Sequence, residues 1–279
     1  MSHVRIVVFT LLALLAFAGN SLLCRAALSH TSIDAASFTS MRLLSGALML
    51  WMLVALRPGA GAGRGSWPSA LALFAYAAGF SFSYLRLPTA AGALILFGAV
   101  QATMIAHGLR SGEHLRPPQL AGLLLACGGL VGLLLPGLSA PPLPSALMML
   151  GAGIAWGVYS VRGKGAGDPL KVTAGNFMRA VPMALAASAL LLRDASYDPA
   201  GLGYACLSGA LTSGVGYALW YAALPSLRST TAAVVQLSVP VLAALGAVLL
   251  LDEPFSLRLL AASSAILGGI ALVVLARKT

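Results

Sequence analysis

The chain has 279 residues, of which 59% are hydrophobic and 9% are charged, and its formal net charge is +10. A soluble domain carries about 25% charged residues, so this composition excludes a soluble protein and indicates an integral membrane protein. In that setting the positive residues report membrane topology, and no nucleic-acid partner is predicted.

Apolar runs divide the chain into ten segments, each close to the roughly 20 residues that a helix needs to cross a bilayer. The runs are continuous rather than alternating, which favours spanning helices over barrel strands. The predicted helices cover residues 6–25, 35–56, 69–87, 89–109, 117–135, 145–162, 169–192, 200–224, 230–251 and 257–276. The predicted fold class is therefore all-α, integral to the membrane.

Cysteine usage points to no special chemistry. Cys24, Cys127 and Cys206 are odd in number and lie inside predicted helices. They indicate neither a disulfide framework nor a metal site, and no cofactor is predicted.

Lys and Arg residues are concentrated on one side of the predicted topology. With the N-terminus in the cytoplasm, eleven of them lie at the inner side, and four lie at the outer side, namely Arg25, Arg86, Arg193 and Arg258. Short cytoplasmic loops are enriched in Lys and Arg. The bias predicts a multi-pass protein with both termini in the cytoplasm.

Residues recur along the chain at nearly constant offsets. An offset of 137 relates Arg25, Arg42, Tyr84 and Pro88 to Arg162, Arg179, Tyr221 and Pro225. An offset of 140 relates Glu113 to Glu253, and Gly128-Gly129 to Gly268-Gly269. The pattern predicts two copies of a five-helix unit, residues 1–137 and 138–279. Because five is odd, the second copy is expected to be inverted, with a solute site near mid-bilayer between the repeats.

Two acidic residues, Asp252 and Glu253, lie side by side between the ninth and tenth predicted helices. Glu113 and Glu253 are expected on opposite membrane faces, so they are not predicted to form a catalytic pair. A structural role is favoured over substrate contact: either acid accepts from free N–H groups of the tenth helix, and Pro254 ends the ninth.

These motifs resemble a known family. The stretch 250–256, Leu-Leu-Asp-Glu-Pro-Phe-Ser, followed by Gly268-Gly269-Ile270, looks like the end of an EamA domain, and 111–115 with Gly128-Gly129 looks like its other copy. Gly19-Asn20-Ser21 before Arg25, and Arg42, are also similar. The resemblance covers essentially the whole chain. It implies the drug/metabolite transporter superfamily with two inverted EamA repeats, and suggests the YddG-like exporters of aromatic and other amino acids.

Aromatic side chains provide the first candidate site. On the third helix they recur every four residues and therefore share one face. The predicted wall consists of Tyr76 and Phe80 on the third helix, Trp156 and Tyr159 on the sixth, and Tyr217 and Trp220 on the eighth. Tyr84 and Tyr221, near the helix ends, are predicted gating residues. Ring stacking would suit apolar or aromatic solutes, with packing or an interfacial aromatic belt as the alternative.

Amides inside the apolar runs provide the second set, which consists of Asn20, Gln101, Asn176 and Gln236. Amides offer both donors and acceptors, as an amino acid zwitterion requires, while helix-to-helix hydrogen bonding is the alternative. Pro182 and Pro240 are predicted to kink the seventh and ninth helices and to free the carbonyl four residues earlier.

Arginine and glycine patterns complete the candidates. Arg42 and Arg179 either bind a substrate carboxylate, or snorkel or bond to helix-end carbonyls, and the second possibility is favoured because Arg42 is close to the start of its run. The pairs Gly153/Gly157 and Gly128/Gly132 match GxxxG and predict close helix contacts.

Several absences restrict the function. No acidic residue lies inside a predicted apolar run, whereas proton-driven pumps use buried carboxylates as relays, so facilitative or exchange transport is predicted. No nucleophile with a base, metal cluster or nucleotide-binding motif lies within the runs, and no enzyme is predicted.

The sequence predicts a secondary transporter that exports small metabolites, above all amino acids including aromatic ones, by alternating access across a bacterial inner membrane. The alternatives are an exporter of a nucleoside, sugar derivative or cationic compound, or a channel-like uniporter. The predicted partners are the small-molecule substrate and the lipid bilayer. A monomer is expected, with a homodimer as the alternative.

Overall fold

The structure is a helical bundle. The computed structural model describes residues 3–57, 63–110, 112, 116–135, 140–163, 167–227 and 235–276, and within these ranges it contains ten helical rods and no strand. The first seven rods are α1 (His3–His30), α2 (Ala35–Ala55), α3 (Trp67–Tyr84), α4 (Thr89–Arg110), α5 (Pro117–Leu134), α6 (Leu143–Gly163) and α7 (Pro169–Leu190). The eighth consists of α8 (Pro199–Leu207), a π-helical segment (Ser208–Val215) and α9 (Gly216–Ala223). The last two are α10 (Ser238–Leu250) and α11 (Leu257–Leu275). The predicted all-α fold is confirmed.

The outer surface of the bundle suits lipid. Among the described helices, five are long and apolar enough to cross a membrane, namely α1, α2, α4, α5 and α6, and Ser238–Leu250 and Leu257–Val273 are shorter apolar helices. Large apolar side chains such as Leu48, Leu124 and Leu245 are more than half exposed on this surface. Hydrocarbon solvates such side chains, so the chain is a multi-pass membrane protein.

Some predicted features fall outside the described residues. They are Glu113 and its neighbours at 113–115, the repeat boundary at 137 and 138, the start of the ninth helix at 230, and the inner-side residues Lys164, Arg228, Arg277 and Lys278.

Acidic and hydroxyl side chains define where several helices begin. Asp34 accepts from the N–H groups of Ala36 and Ser37 at 2.8 and 2.9 Å, and thereby caps α2. Asp168 and Asp198 cap α7 and α8 in the same way. Each cap satisfies N–H groups that have no partner within the helix.

The Asp34 cap also ties two loops together. Its second carboxylate oxygen accepts from the Ser196 N–H at 3.0 Å. Burial acts to raise the pKa of Asp34, but the hydrogen bonds from Ser37, Ser196 and Ala36 outweigh it, and the pKa lies below its ordinary value. The stabilisation is therefore present above that ordinary value and is lost as the pH falls through the lowered pKa.

Glycines allow the helices to approach closely at two contacts. A Cβ added at Gly153 would lie 2.6 Å from the Leu96 carbonyl oxygen, and one at Gly157 would lie 2.7 Å from Thr103 Cβ, so the predicted contact of α6 is present and its partner is α4. The prediction for Gly128 and Gly132 is wrong, because a Cβ at either position meets no atom of the described residues within 4 Å.

The second close contact joins α5 and α11 through other glycines. A Cβ at Gly122 would lie 2.5 Å from the Gly269 carbonyl oxygen, and one at Gly129 would lie 2.8 Å from Ala265 Cβ. The GxxxG spacing identified the right helix but the wrong face, because spacing alone does not tell which face a neighbour covers.

The two prolines behave differently. Pro182 lies inside α7, as predicted. Pro240 lies in the first turn of α10, where its missing N–H costs α10 no hydrogen bond. The predicted kink of the ninth helix stays a prediction, because residues 228–234 lie outside the described ranges. A turn at Leu237 separates Gln236 from α10.

One added methyl group tests the contact between α4 and α6. We expect Gly153→Ala to lower the free energy of unfolding by about 1 to 3 kcal/mol, because overpacking forces the two backbones apart. The measurement is the melting temperature of the detergent-purified protein.

Gly151 provides the matched control, because a Cβ there meets nothing within 4 Å. Gly151→Ala should leave the melting temperature unchanged or raise it, since Ala favours a helix over Gly by about 1 kcal/mol. Equal losses in both variants would contradict the contact.

Candidate functional site

A central cavity of about 280 Å³ lies between the helices. Ten of its lining residues precede residue 137 and ten follow it, so both halves of the chain contribute equally. The volume is near the lower end of the roughly 300 to 1,000 Å³ of small-molecule pockets. The cavity therefore has the size and position of a site for a small solute.

Aromatic rings in continuous contact form one wall. Trp156 is the hub, with ring centroids 4.8 Å from Tyr76, 5.2 Å from Tyr159 and 5.2 Å from Tyr217. Tyr76 contacts Phe80 at 5.4 Å on the α3 face that the sequence predicts. The Trp156–Tyr159 pair is stacked, and the other three pairs are tilted.

The structure brings most of the predicted site residues around this cavity. Those that line it are Asn20, Tyr76, Phe80, Gln101, Trp156, Tyr217, Trp220, Tyr221 and Gln236. Their contact with a solute stays a prediction.

Five predicted residues lie elsewhere. Tyr159 stacks behind Trp156, and Asn176 binds the Tyr159 hydroxyl and the Ser66 N–H, which fixes the start of α3. Tyr84 is fully buried one turn beyond Phe80, and Pro240 faces a different cavity. Pro182 is not among the lining residues. Asn176 thus matches the alternative of helix-to-helix hydrogen bonding.

Several lining residues were missed by the sequence reasoning. They include Phe17, Phe97, Met104, Thr212 and Ser213. Helical spacing could have found some of them, since Phe17 precedes Asn20 by three positions and Phe97 precedes Gln101 by four, which places each pair on one helix face.

A hydrogen-bonded network of polar side chains lies at the cavity. The Tyr76 oxygen accepts from Asn20 Nδ2 at 3.2 Å, and Asn20 Oδ1 accepts from Ser208 Oγ at 2.7 Å and Thr212 Oγ1 at 3.4 Å. Ser208 and Thr212 belong to the π-helical segment, a rare local geometry that is frequent at functional sites. The network therefore joins α1 and α3 to the eighth rod through hydrogen bonds.

Arg42 lies beside this network and is 1% exposed. Its Nη2 donates to the Tyr76 oxygen at 3.0 Å, and its guanidinium lies 5.2 Å from the Tyr76 ring centroid and 4.9 Å from that of Phe80. The expectation that Arg42 snorkels is therefore wrong: the aromatic surface holds it inside the bundle. Its predicted counterpart in the second repeat, Arg179, instead donates to the carbonyls of Arg64 and Gly175.

A second cluster of side chains closes one end of the bundle. This Arg25 cluster consists of Arg25, Tyr84, Thr89 and Glu253. Arg25 donates to Glu253 at 3.3 Å and to the Tyr84 carbonyl at 2.8 Å. Glu253 accepts from the Thr89 N–H at 2.7 Å and from its hydroxyl at 3.1 Å. Glu253 thus caps α4, and the predicted cap of the following helix is corrected, because Ser256 caps α11.

The two ends of the cavity differ in exposure. Phe80, towards the Arg25 cluster, is completely buried, as is Tyr84 beyond it. At the other end Met104, Ser160 and Leu227 are only partly buried. Access is therefore easier from the end where α4 and α6 finish.

A second cavity, of about 610 Å³, is larger but has a different character. Its lining includes Val241, Leu245 and Leu249, which are 45%, 56% and 77% exposed. Such a groove faces hydrocarbon in a bilayer, so the smaller polar cavity is the better candidate for a solute.

Comparisons with known proteins agree with this architecture. The family model of the EamA-like transporter family matches residues 143–275. The chain is 58% identical to the uncharacterized protein PA1977 of Pseudomonas aeruginosa, over 98% of this chain and 96% of that protein. A solved crystal structure, described only as that of a protein, shares the fold with a TM-score of 0.67 at 21% identity, over 99% of both chains. None of these names gives a substrate, so the YddG-like subgroup stays a prediction.

The adjacent acids allow a matched test of the Arg25 cluster. We expect Glu253→Gln to lower the free energy of unfolding by about 1 to 3 kcal/mol, because the cap of α4 and the ion pair with Arg25 both weaken. Thermal unfolding in detergent measures the loss.

Asp252→Asn is the control, because Asp252 has a positive φ of 51°, which Asn tolerates, and it takes no part in the cluster. A loss in Asp252→Asn as large as that in Glu253→Gln would contradict the role of Glu253.

Proposed function

The chain belongs to the EamA-like transporter family, and from this premise we propose that it is a secondary carrier exporting small metabolites, above all amino acids including aromatic ones, across a bacterial inner membrane. The central cavity is the observation that carries the proposal. It combines rings centred on Trp156 with amides and hydroxyls, the two kinds of surface that such a solute needs.

Each part of the wall suits one part of an amino acid. The rings of Tyr76, Trp156 and Tyr217 offer stacking surface for an apolar or aromatic side chain, worth about 0.5 to 1.5 kcal/mol per ring pair beyond area burial. Gln101 and Gln236 offer donors and acceptors to the polar backbone groups of the solute. A nucleoside or sugar derivative would use the same amides and is the alternative substrate.

Alternating access is supported by the unequal ends of the cavity. The Arg25 cluster joins α1, the end of α3, the start of α4 and the segment before α11, and it lies beyond the buried Phe80 and Tyr84. For a solute to leave by that end, these contacts have to separate. The two repeats inferred from the sequence would rock against each other to do so.

The direction of transport follows from the predicted topology. With the N-terminus in the cytoplasm, the partly exposed end of the cavity faces the cytoplasm and the Arg25 cluster faces outwards. A solute then enters from inside and leaves after the cluster opens, which is export. A channel-like uniporter is the alternative, and saturable flux with counterflow separates the two.

Substitutions in the cavity wall test the site. We expect Trp156→Ala to slow uptake of phenylalanine or tryptophan into proteoliposomes by roughly 10-fold, because its ring contacts are lost. Gln236→Ala should slow uptake by about 3- to 10-fold, because a hydrogen bond is lost.

Trp51→Ala is the control, since Trp51 is 57% exposed on the outer surface of α2. It should transport like the wild type. Wild-type flux in both cavity variants would remove the site assignment.

The energy source is tested separately with an imposed pH gradient. We expect amino acid flux in proteoliposomes to change less than about 2-fold, because buried carboxylates are the usual proton relays and the acids near the bundle are engaged as helix caps. Acceleration of several-fold by the gradient would contradict facilitative or exchange transport.

A further inference from the structure

Arg42 carries a positive charge into the centre of the bundle without a full set of partners. Only Nη2 is hydrogen-bonded, to the Tyr76 oxygen, and within the described part of the chain Nε and Nη1 have no partner. A buried guanidinium left this way is costly, because its hydration is lost and not replaced. Such a group calls for a partner that the folded chain does not itself supply.

Among the described residues, no carboxylate neutralises this charge. Six of the seven acidic residues lie in the described ranges, and none of the six forms an ion pair or hydrogen bond with Arg42. Asp34, Asp168 and Asp198 cap helices, and Glu253 pairs with Arg25. The rings of Tyr76 and Phe80 offset part of the charge but form no hydrogen bonds to Nε or Nη1.

Arg42 is not itself a lining residue, but it is hydrogen-bonded to Tyr76, which lines the cavity, and two cavity-lining hydroxyls have a free donor. Tyr76 uses its oxygen as acceptor for both Asn20 and Arg42, which leaves its own proton for another acceptor. The orientation of the Asn20 amide is set by Ser208, which donates to Oδ1. Ser213 lines the cavity, and its buried hydroxyl has no partner among the described residues.

We propose that Arg42, with the hydroxyls of Tyr76 and Ser213, binds the carboxylate of the transported solute. This inference rests on the proposed transport function and adds that the substrates are organic monocarboxylates. One guanidinium balances one negative charge, and its planar donors match a carboxylate. The apolar part of the solute then lies on the rings around Trp156, which adjoin Tyr76.

The repeat-related arginine has no such setting. Arg179 donates to two backbone carbonyls and lies near the Trp67 ring, whereas Arg42 is hydrogen-bonded to the cavity-lining Tyr76. The guanidinium of the carboxylate site therefore comes from the first half of the chain only, and Arg179 serves as the matched control.

Four related compounds separate carboxylate recognition from ring recognition. They are L-phenylalanine, L-phenylalaninamide, 3-phenylpropionate and 2-phenylethylamine, each titrated into the purified protein while tryptophan fluorescence is followed. Trp156 and Trp220 line the cavity and report occupancy. We expect the wild type to bind the two carboxylates at least about 10-fold more tightly than the amide and the amine.

The variants locate that preference. Arg42→Gln should bind phenylalanine and its amide with equal affinity. Arg42→Lys should keep part of the wild-type ratio of the two affinities, and Arg179→Gln should keep all of it. Tyr76→Phe removes one donor without changing the charge and should reduce the ratio about 3- to 10-fold. If Arg42→Gln fails to fold, the affinity ratios of phenylalanine to its amide in the wild type and in Tyr76→Phe decide whether the carboxylate site exists.

Failure of this inference is distinguishable from failure of the proposed function. Equal binding of phenylalanine and its amide by the wild type, or an unchanged ratio in a folded Arg42→Gln variant, overturns the carboxylate site. Flux of the amide and amine equal to that of the carboxylates in proteoliposomes overturns it while leaving a carrier of small solutes. Absence of both binding and flux for all four compounds overturns the site and the amino acid proposal together.

Discussion

Lipid hydrocarbon offers no hydrogen-bond partners, and this constraint governs where the chain places its polar groups. A helix pairs most of its backbone N–H and C=O groups internally. The groups that still need hydrogen-bond partners are therefore those at the helix ends and on the polar side chains. The scarce acidic residues serve the helix ends: Asp34 caps α2, and Glu253 caps α4 across 164 positions of sequence. Four of the six carboxylates in the described ranges thus hold helix ends, and none of the six pairs with the buried Arg42.

Polar side chains within the bundle converge on the central cavity. Asn20 is bonded to Tyr76 and to the π-helical segment, whereas Tyr76, Arg42 and Ser213 keep unused donors nearby. A network with some donors satisfied and others free is rigid yet able to bind a ligand. Elsewhere the helices meet through small residues, as Gly153 does against α4, so close packing and polar recognition occupy different parts of the bundle.

The helices and much of the cavity wall could be predicted from periodicity, because spacing reports which side chains share a helix face. Tyr76 and Phe80 are one such case. The predictions that were wrong concern neighbours: Glu253 caps a different helix, and Gly128 and Gly132 face open space. Spacing within one helix contains no information about which helix lies opposite.

By itself the sequence determined the helical membrane class and the family, because bilayer thickness demands long apolar runs and the EamA motifs are local. Only the tertiary structure decided the environment of each charge. Arg25 meets Glu253 across 228 positions, and Arg42 meets Tyr76 across 34. Whether a charged side chain forms an ion pair, caps a helix or keeps free donors depends on distances between separate helices. Those distances exist only once the bundle has packed.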